Sequence, residues 1–314
     1  MTPLYNEDGS LFVYGRGNTG VQSINLPYVA MLSGGDIDKF YEELDKYLDL
    51  CKRMGILRFE KLKGITADVA PLLWQYGVFA RLQPKEEILP TVKKNFTVSL
   101  GYSGLYETTK IMTGESQTTF KGYNFALELM NHLRDKTIEW KEETGLMFGL
   151  YGTPQESTGG LFSDKIKKEF GVIKDITDKG FVTNSYHVDV REEIDAFSKL
   201  EIEGVFQERS LGGTVSYVET YNMSKNLKAL EQLINFIYEH NIYAEINFES
   251  DVCGKCGYNG VMEYDLNKDI WVCPQCGNKD QDKLSVVRRT CGYLSENQWT
   301  KGRILDILNR VKHL

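Results

Sequence analysis

Two short pairs, Cys253-Gly-Lys-Cys256 and Cys273-Pro-Gln-Cys276, constrain this sequence more than any other feature. The 16 residues between them fall in the range of four-cysteine zinc sites. Each Cys-x-x-Cys forms a knuckle that aims two thiolates at one ion, and two knuckles close a tetrahedron with no position left for substrate. Cys253, Cys256, Cys273 and Cys276 are therefore expected to hold a structural zinc. The intervening Tyr258 to Val272 reads as a hairpin turning near Asn267-Lys268, the shape a zinc ribbon requires. Four of the six cysteines lie in these pairs, whereas a disulfide scaffold would spread them through the chain, so a reducing compartment is expected.

At 314 residues the chain can bury a sizeable core, as one large domain with an appendage or as two ordinary domains. Hydrophobic residues are 41% and charged residues 26%, and no apolar run approaches the roughly 18 residues of a membrane span. No membrane partner is expected. The N-terminus has no basic region followed by an apolar core, which points to the cytoplasm. The net charge of −7 gives no broad footprint for a nucleic-acid backbone. Zinc ribbons can bind nucleic acid, but here Lys255 and Lys268 face Glu263, Asp265 and Asp269, and phosphate contact would need a positive balance. No nucleic-acid partner is expected.

Along the chain, Val21 to Leu26 reads as a strand closed by Pro27. Asp36 to Met54 reads as a helix capped by Asp36, with Phe40, Leu44, Tyr47, Leu48 and Cys51 on one face and Gly55 at its end. Cys51 then reads as a small packing residue rather than a reactive thiol. Further strands are expected at Phe96 to Leu100, Leu146 to Tyr151, Phe181 to Val188, Gly213 to Glu219 and Tyr243 to Phe248. Helices are expected from about Tyr123 to Glu143, from Asn222 to Glu239 with Leu227, Leu230, Ile234 and Ile237 inward, and out to Leu314. Strands alternating with long helices indicate an α/β architecture with largely parallel strands. Ligands gather at the C-terminal ends of such strands, which draws attention to Thr153 and Glu156 just after Tyr151. A helix-capping loop with Glu156 near the dipole would explain the same residues.

Near the end stands Arg288-Arg-Thr-Cys-Gly-Tyr-Leu294, in which Gly292 alone would read as a turn residue. A four-cysteine ribbon followed closely by this segment resembles the end of class III anaerobic ribonucleoside-triphosphate reductases, which are glycyl radical enzymes. Arg16-Gly-Asn-Thr-Gly-Val-Gln-Ser-Ile-Asn-Leu-Pro27, Gly152-Thr-Pro-Gln-Glu-Ser157, Phe181-Val-Thr-Asn-Ser-Tyr-His187 and Gly212-Gly-Thr-Val-Ser-Tyr-Val-Glu219 also resemble family segments, in the family's order. The resemblance covers essentially the whole chain.

It implies the C-terminal half of a ten-stranded glycyl-radical-enzyme α/β barrel over residues 1–250, a zinc ribbon over 251–281, and the radical loop with a C-terminal helix over 282–314. It further implies that a separate iron–sulfur activase using S-adenosylmethionine oxidises Gly292 to a glycyl radical. Only glycine suits that role, because a side chain would crowd the planar radical centre. By motif, Asn18 matches an active-site asparagine and Glu156 a carboxylate near the ribose, with Thr153 and Pro154 lining the substrate. The ribonucleoside triphosphate would be reduced with formate or a redoxin as reductant, formate being the commoner, in a dimeric assembly. The cysteine that carries the thiyl radical should stand shortly before Arg16, yet residues 1–35 contain none. The resemblance therefore implies a second polypeptide bearing the N-terminal half, from a split gene of phage type working in the host cytoplasm, or a truncated product. The rivals are a glycyl radical enzyme of the formate-lyase type, which the ribbon disfavours, and an inactive zinc-binding structural subunit.

Overall fold

The structure is a computed structural model that describes residues 4–6, 8–152, 154, 157–248, 250–289, 294–296 and 299–313. The chain divides into two compact units, Met1–Thr153 with Thr183–His187 and Val205–Thr214, and Pro154–Val182 with Val188–Gly204 and Val215–Leu314.

The first unit begins with strand β1 (Gly17–Asn25), which runs directly into helix α1 (Leu26–Ser33). The strand stops at Asn25, because Leu26, expected as its last residue, already opens the helix that Pro27 enters. Pro27 sits in the first turn of α1, where its missing N–H is no loss and its fixed φ suits a helix. Helix α2 (Ile37–Glu60) is capped by Asp36, whose carboxylate accepts from the Lys39 N–H at 3.0 Å. Phe40, Leu44 and Leu48 form its buried stripe as expected. The helix does not stop at Gly55. A Cβ there would lie 2.9 Å from both Phe148 and Val98, so this glycine allows the helix to approach the sheet closely. Burial pushes the Cys51 thiol up to about 11, consistent with a packing role.

Short helices α3 (Pro71–Trp74) and α4 (Leu89–Asn95) lead to strand β2 (Phe96–Ser103), which is buried at every position. It lies between β1 and strand β3 (Met147–Tyr151), parallel to both, with Ser23 beside Gly101 and Gly101 beside Tyr151. A strand covered on both faces reads as a near-continuous buried run, which is why β2 extends beyond the Phe96 to Leu100 stretch. Helix α5 (Leu105–Thr113) follows β2, and helix α6 (Phe120–Thr144) runs between a Thr119 cap and a left-handed Gly145.

In the second unit, helix α7 (Thr158–Phe170) is followed by helix α8, which begins in this unit (Ala196–Gln207). Strand β4 (Ser216–Glu219) pairs in parallel with strand β5 (Ala244–Asn247) across helix α9 (Leu227–His240). Helix α9 starts after Asn226, which caps it through the Ala229 N–H, while Asn222 caps only a preceding 3₁₀ turn. Its inward face is Leu233, Phe236 and Ile237, packed on Ala196, Leu200 and Val218. Leu227 and Ile234, expected inside, are 67% and 51% exposed.

The expected strand over Phe181 to Val188 does not form. Its Asn184-Ser185 centre turns instead, with Ser185 at φ 31°, and only an isolated bridge joins Asn184 to Ser103. The ribbon region comprises β6 (Asp251–Cys253), β7 (Asn259–Gly260), β8 (Glu263–Asp265), β9 (Ile270–Val272) and β10 (Leu284–Ser285). Strands β8 and β9 form the expected hairpin around Asn267-Lys268, with Asp269 at φ 58°. Strands β11 (Val287–Arg289) and β12 (Leu294–Glu296) pair antiparallel and precede helix α10 (Lys301–Leu308). This last helix ends short of Leu314. The tail continues extended, with the Val311 N–H donating to Val190 and the His313 N–H to Glu219. Helix α10 crosses α7 at a glycine pair: a Cβ on Gly302 would lie 2.7 Å from the Gly160 Cα. Among the described residues no helix is long and apolar enough to cross a membrane.

Candidate metal centre and active site

The two knuckles are built alike. In the first, the Gly257 N–H donates to Cys253 O at 2.8 Å and the Cys253 N–H to Tyr258 O at 2.9 Å. In the second, Gly277 donates to Cys273 O at 2.9 Å and Cys273 to Asn278 O at 3.0 Å. Both turns need a left-handed residue, and Gly257 and Gly277 stand at φ +74° and +67°. The four sulfurs come within 4.8 Å of one another, with Cys253 to Cys276 at 3.8 Å and Cys256 to Cys273 at 3.7 Å. A disulfide would require about 2.05 Å. A tetrahedral ion bound at about 2.3 Å to each sulfur would set them ~3.8 Å apart. The donor set and its spacing therefore fit one tetrahedral metal ion. Burial opposes ionisation of Cys253 but is outweighed by hydrogen bonds from the backbone of Cys256 and Lys255, which lower its thiol; at Cys256 the backbone bond from Tyr258 is outweighed by burial and by the three neighbouring sulfurs, which raise it. Beneath the knuckles, Met262, Trp271, Leu284 and Val286 form a small apolar core with Trp299 packed against it.

This module is tied to the hairpin beyond it. Leu284 of β10 pairs with Cys253 of β6, and three residues later β11 begins. The Asp251 carboxylate, 0% exposed, accepts from the Met262 N–H at 2.8 Å and from Arg288 Nη2 at 2.6 Å, with a second contact to Arg288 Nη1. Arg288 also lies over the Trp271 ring, 5.8 Å from its centroid. Asp251 and Arg288 were not singled out by the sequence as anchors. The only hint is an arginine just before the Cys-Gly pair and an aspartate two residues before the first ligand. Cys291 and Gly292 lie outside the described residues, in the stretch of chain that joins β11 to β12.

Of the remaining sequence candidates, Asn18 lies near the start of β1 in the first unit. Its amide donates to Ser99 Oγ at 2.6 Å and its oxygen accepts from the Gly20 N–H at 2.7 Å, across the point where the β1–β2 register shifts. Thr153 and Glu156 lie outside the described residues, while Pro154 is half-buried and belongs to the second unit. The end of β3 is closely confined in the first unit. Gly212 donates to Leu150 O at 2.7 Å and Gly152 to Gly213 O at 2.9 Å, and a Cβ on Gly152 would lie 2.7 Å from Tyr186.

Beside that strand end the first unit buries a polar network. Glu107 accepts from the Thr183 N–H and hydroxyl at 2.8 Å each, Gln117 donates to Tyr186 O at 2.6 Å, and Tyr102 shares a hydrogen bond with Ser210 at 2.7 Å. Glu107 and Gln117 hold the Thr183–His187 segment against the C-terminal end of β2, and Tyr102 ties β2 to the Val205–Thr214 segment; Glu107 and Gln117 were missed in the sequence because neither lies in a motif.

Residues 4–313 match the sequence model of the family described as anaerobic ribonucleoside-triphosphate reductase. The chain belongs to that family. It is 36% identical over 320 residues to the anaerobic ribonucleoside-triphosphate reductase of Escherichia coli K12, covering 98% of this chain but 44% of that protein. To the reductase of Enterobacteria phage T4 it is 36% identical over 314 residues, covering 97% of this chain and 50% of the relative. The chain thus spans about half the length of these reductases. Among solved structures, an anaerobic ribonucleotide reductase superposes with a TM-score of 0.72 at 20% identity, over 99% of this chain and 47% of the other. The Thermotoga maritima enzyme in complex with dATP and CTP superposes with a TM-score of 0.64 at 19% identity, over 94% and 45%. These likenesses establish a shared mixed α/β fold.

Proposed function

We propose that this chain is the radical-bearing C-terminal part of an anaerobic ribonucleoside-triphosphate reductase, reducing ribonucleoside triphosphates to deoxyribonucleoside triphosphates by glycyl and thiyl radical chemistry. The observation that carries this reading is the junction of Asp251 and Arg288, which fastens a four-thiolate centre to the hairpin strands flanking residues 290–293 in a chain matched to the family from 4 to 313. In this reading residues 1–250 are the C-terminal half of the barrel, 251–281 the ribbon, and 282–314 the radical loop and last helix. Zinc bound by four thiolates supplies rigidity, since a closed tetrahedron has no open position.

Gly292 stores the radical after an S-adenosylmethionine-dependent iron–sulfur activase removes one of its α-hydrogens, and the adjacent amide and carbonyl delocalise it. A cysteine of the N-terminal half takes over the radical and removes the 3′ hydrogen of the substrate. Glu156 accepts a hydroxyl proton as the C2′–O bond breaks and water leaves. Asn18 hydrogen-bonds substrate or reductant, Thr153 and Pro154 line the substrate, and formate supplies the two electrons. The assembly is dimeric and works in the cytoplasm. Mixing tests the division of labour. This chain with activase should show no ribonucleotide turnover, and adding the polypeptide that carries the N-terminal half should restore it. Turnover by this chain and activase alone would overturn the reading.

A further inference from the structure

The first unit leaves a continuous apolar strip on its outside. On α2, Leu50, Met54 and Leu57 recur at helical spacing on one face and are 48%, 52% and 48% exposed. Beside Met54 and Leu57 opens a cavity of about 490 Å³ walled by Trp74, Ile88, Val92 and Phe96. Thr19 of β1 completes its lining, and β1 is the edge strand of the sheet. An amphipathic helix in a finished globular surface turns such a stripe inward, and contiguous exposed apolar patches mark interaction sites. A parallel sheet, moreover, normally has its edges covered or continued.

Two observations say what covers this strip. The relatives at 36% identity match it only with 44–50% of their length, so half or more of a reductase has no counterpart in this chain and must contact it somewhere. The rim of the strip is cationic on balance although the chain carries −7 overall: Arg58 and Lys61 border the cavity and Arg53 lies beside Leu50 and Met54, against the carboxylate of Glu60. The second unit repeats the pattern, with Leu227, Ile234 and Tyr238 of α9 exposed near β5, itself at the edge of its sheet.

We infer that the outer face of α2, the adjoining cavity and the β1 edge form the docking surface for the N-terminal part of the reductase. The element that docks there presents an apolar face bordered by carboxylates, which meet Arg53, Arg58 and Lys61. This rests on the proposal that the chain is one part of a reductase. Met54 and Leu57 fill the contact, and the cavity receives a large side chain of the partner.

The test uses a fusion that places the N-terminal portion of the phage T4 relative ahead of Leu4 of this chain. Maleimide labelling is followed by mass spectrometry at Leu57→Cys, and at Phe120→Cys on α6 as a control, since Phe120 is 86% exposed. Labelling at position 57 should be at least about tenfold slower in the fusion than in the chain alone, with position 120 unchanged. Equal rates at position 57 in both proteins overturn the docking surface. Protection in the chain alone that grows with concentration also overturns it, because a second copy is then the occupant. Turnover by the fusion is measured separately: an active fusion with position 57 still open sinks the surface and keeps the function. A fusion protected at 57 that never acquires a radical under activase leaves the surface standing and sinks the function.

Discussion

Arg288→Met removes one partner of a buried ion pair and nearly preserves the side chain's length. Asp251 is 0% exposed and Arg288 5%. After the change, the carboxylate keeps the Met262 and Val287 amides as donors but loses both guanidinium contacts. Stranding one charge of a buried pair destabilises by about 3–5 kcal/mol. At about 1.4 kcal/mol per tenfold, local opening around Asp251 should become at least about a hundredfold more frequent. Hydrogen exchange at the Met262 amide, which donates to this carboxylate, reads that opening directly. Zinc should remain bound, because neither knuckle uses Arg288. The double variant Asp251→Asn with Arg288→Met should recover much of the protection, since no charge is then left buried. Exchange at Met262 unchanged within a factor of about three in Arg288→Met would refute the idea that this pair anchors the hairpin to the ribbon.

Cys273→Ser should lower zinc content well below one equivalent by elemental analysis, and full retention would speak against a four-thiolate site. Gly55→Val should destabilise by about 1–3 kcal/mol, read from the urea midpoint, because its branches meet Phe148 and Val98. An unchanged midpoint would show that the helix can move off the sheet at little cost. His313 is 3% exposed; burial, and then the nearby charge of Lys199, push its imidazole down to about 3 from its usual 6.5. The folded state thus favours neutral His313, whose contribution is fully present above about pH 6.5 and lost as pH falls toward 3. Exchange at the Val311 and His313 amides should rise through that window, and His313→Gln should flatten this dependence. A wild-type profile that is flat from pH 6.5 to 4 would contradict it.

What the sequence disclosed and what it withheld follow from the range of the forces involved. Both knuckles and the β8–β9 hairpin were legible because their geometry is set within a few residues by cysteine spacing and turn chemistry. Asp36 announced its helix for the same reason. Gly55 misled because its cause is distant: nothing near it in sequence shows that Phe148 and Val98 will crowd it. The α9 face was misassigned because its apolar residues occupy two stripes, and only packing on Ala196, Leu200 and Val218 chooses Leu233 and Ile237. Phe181 to Val188 has the composition of a strand, but its backbone and side-chain partners lie around Gly104, Leu105 and Glu107, which bend it into a turn. In the candidate site, motifs exposed the ligands, whereas Asp251, Arg288 and Glu107 act through partners that no local pattern reveals.

Electron paramagnetic resonance of the assembled enzyme tests the central claim most directly. After strictly anaerobic treatment with activase, S-adenosylmethionine and an electron source, the spectrum should be a doublet from the one hydrogen remaining on the Gly292 α-carbon. Protein grown on α-deuterated glycine should show that doublet collapsed toward a single line, and Gly292→Ala should show no signal while keeping its zinc. A doublet of undiminished intensity in Gly292→Ala, or no glycine-derived signal in an assembled enzyme that turns over ribonucleotides, would contradict the assignment of the radical to this chain.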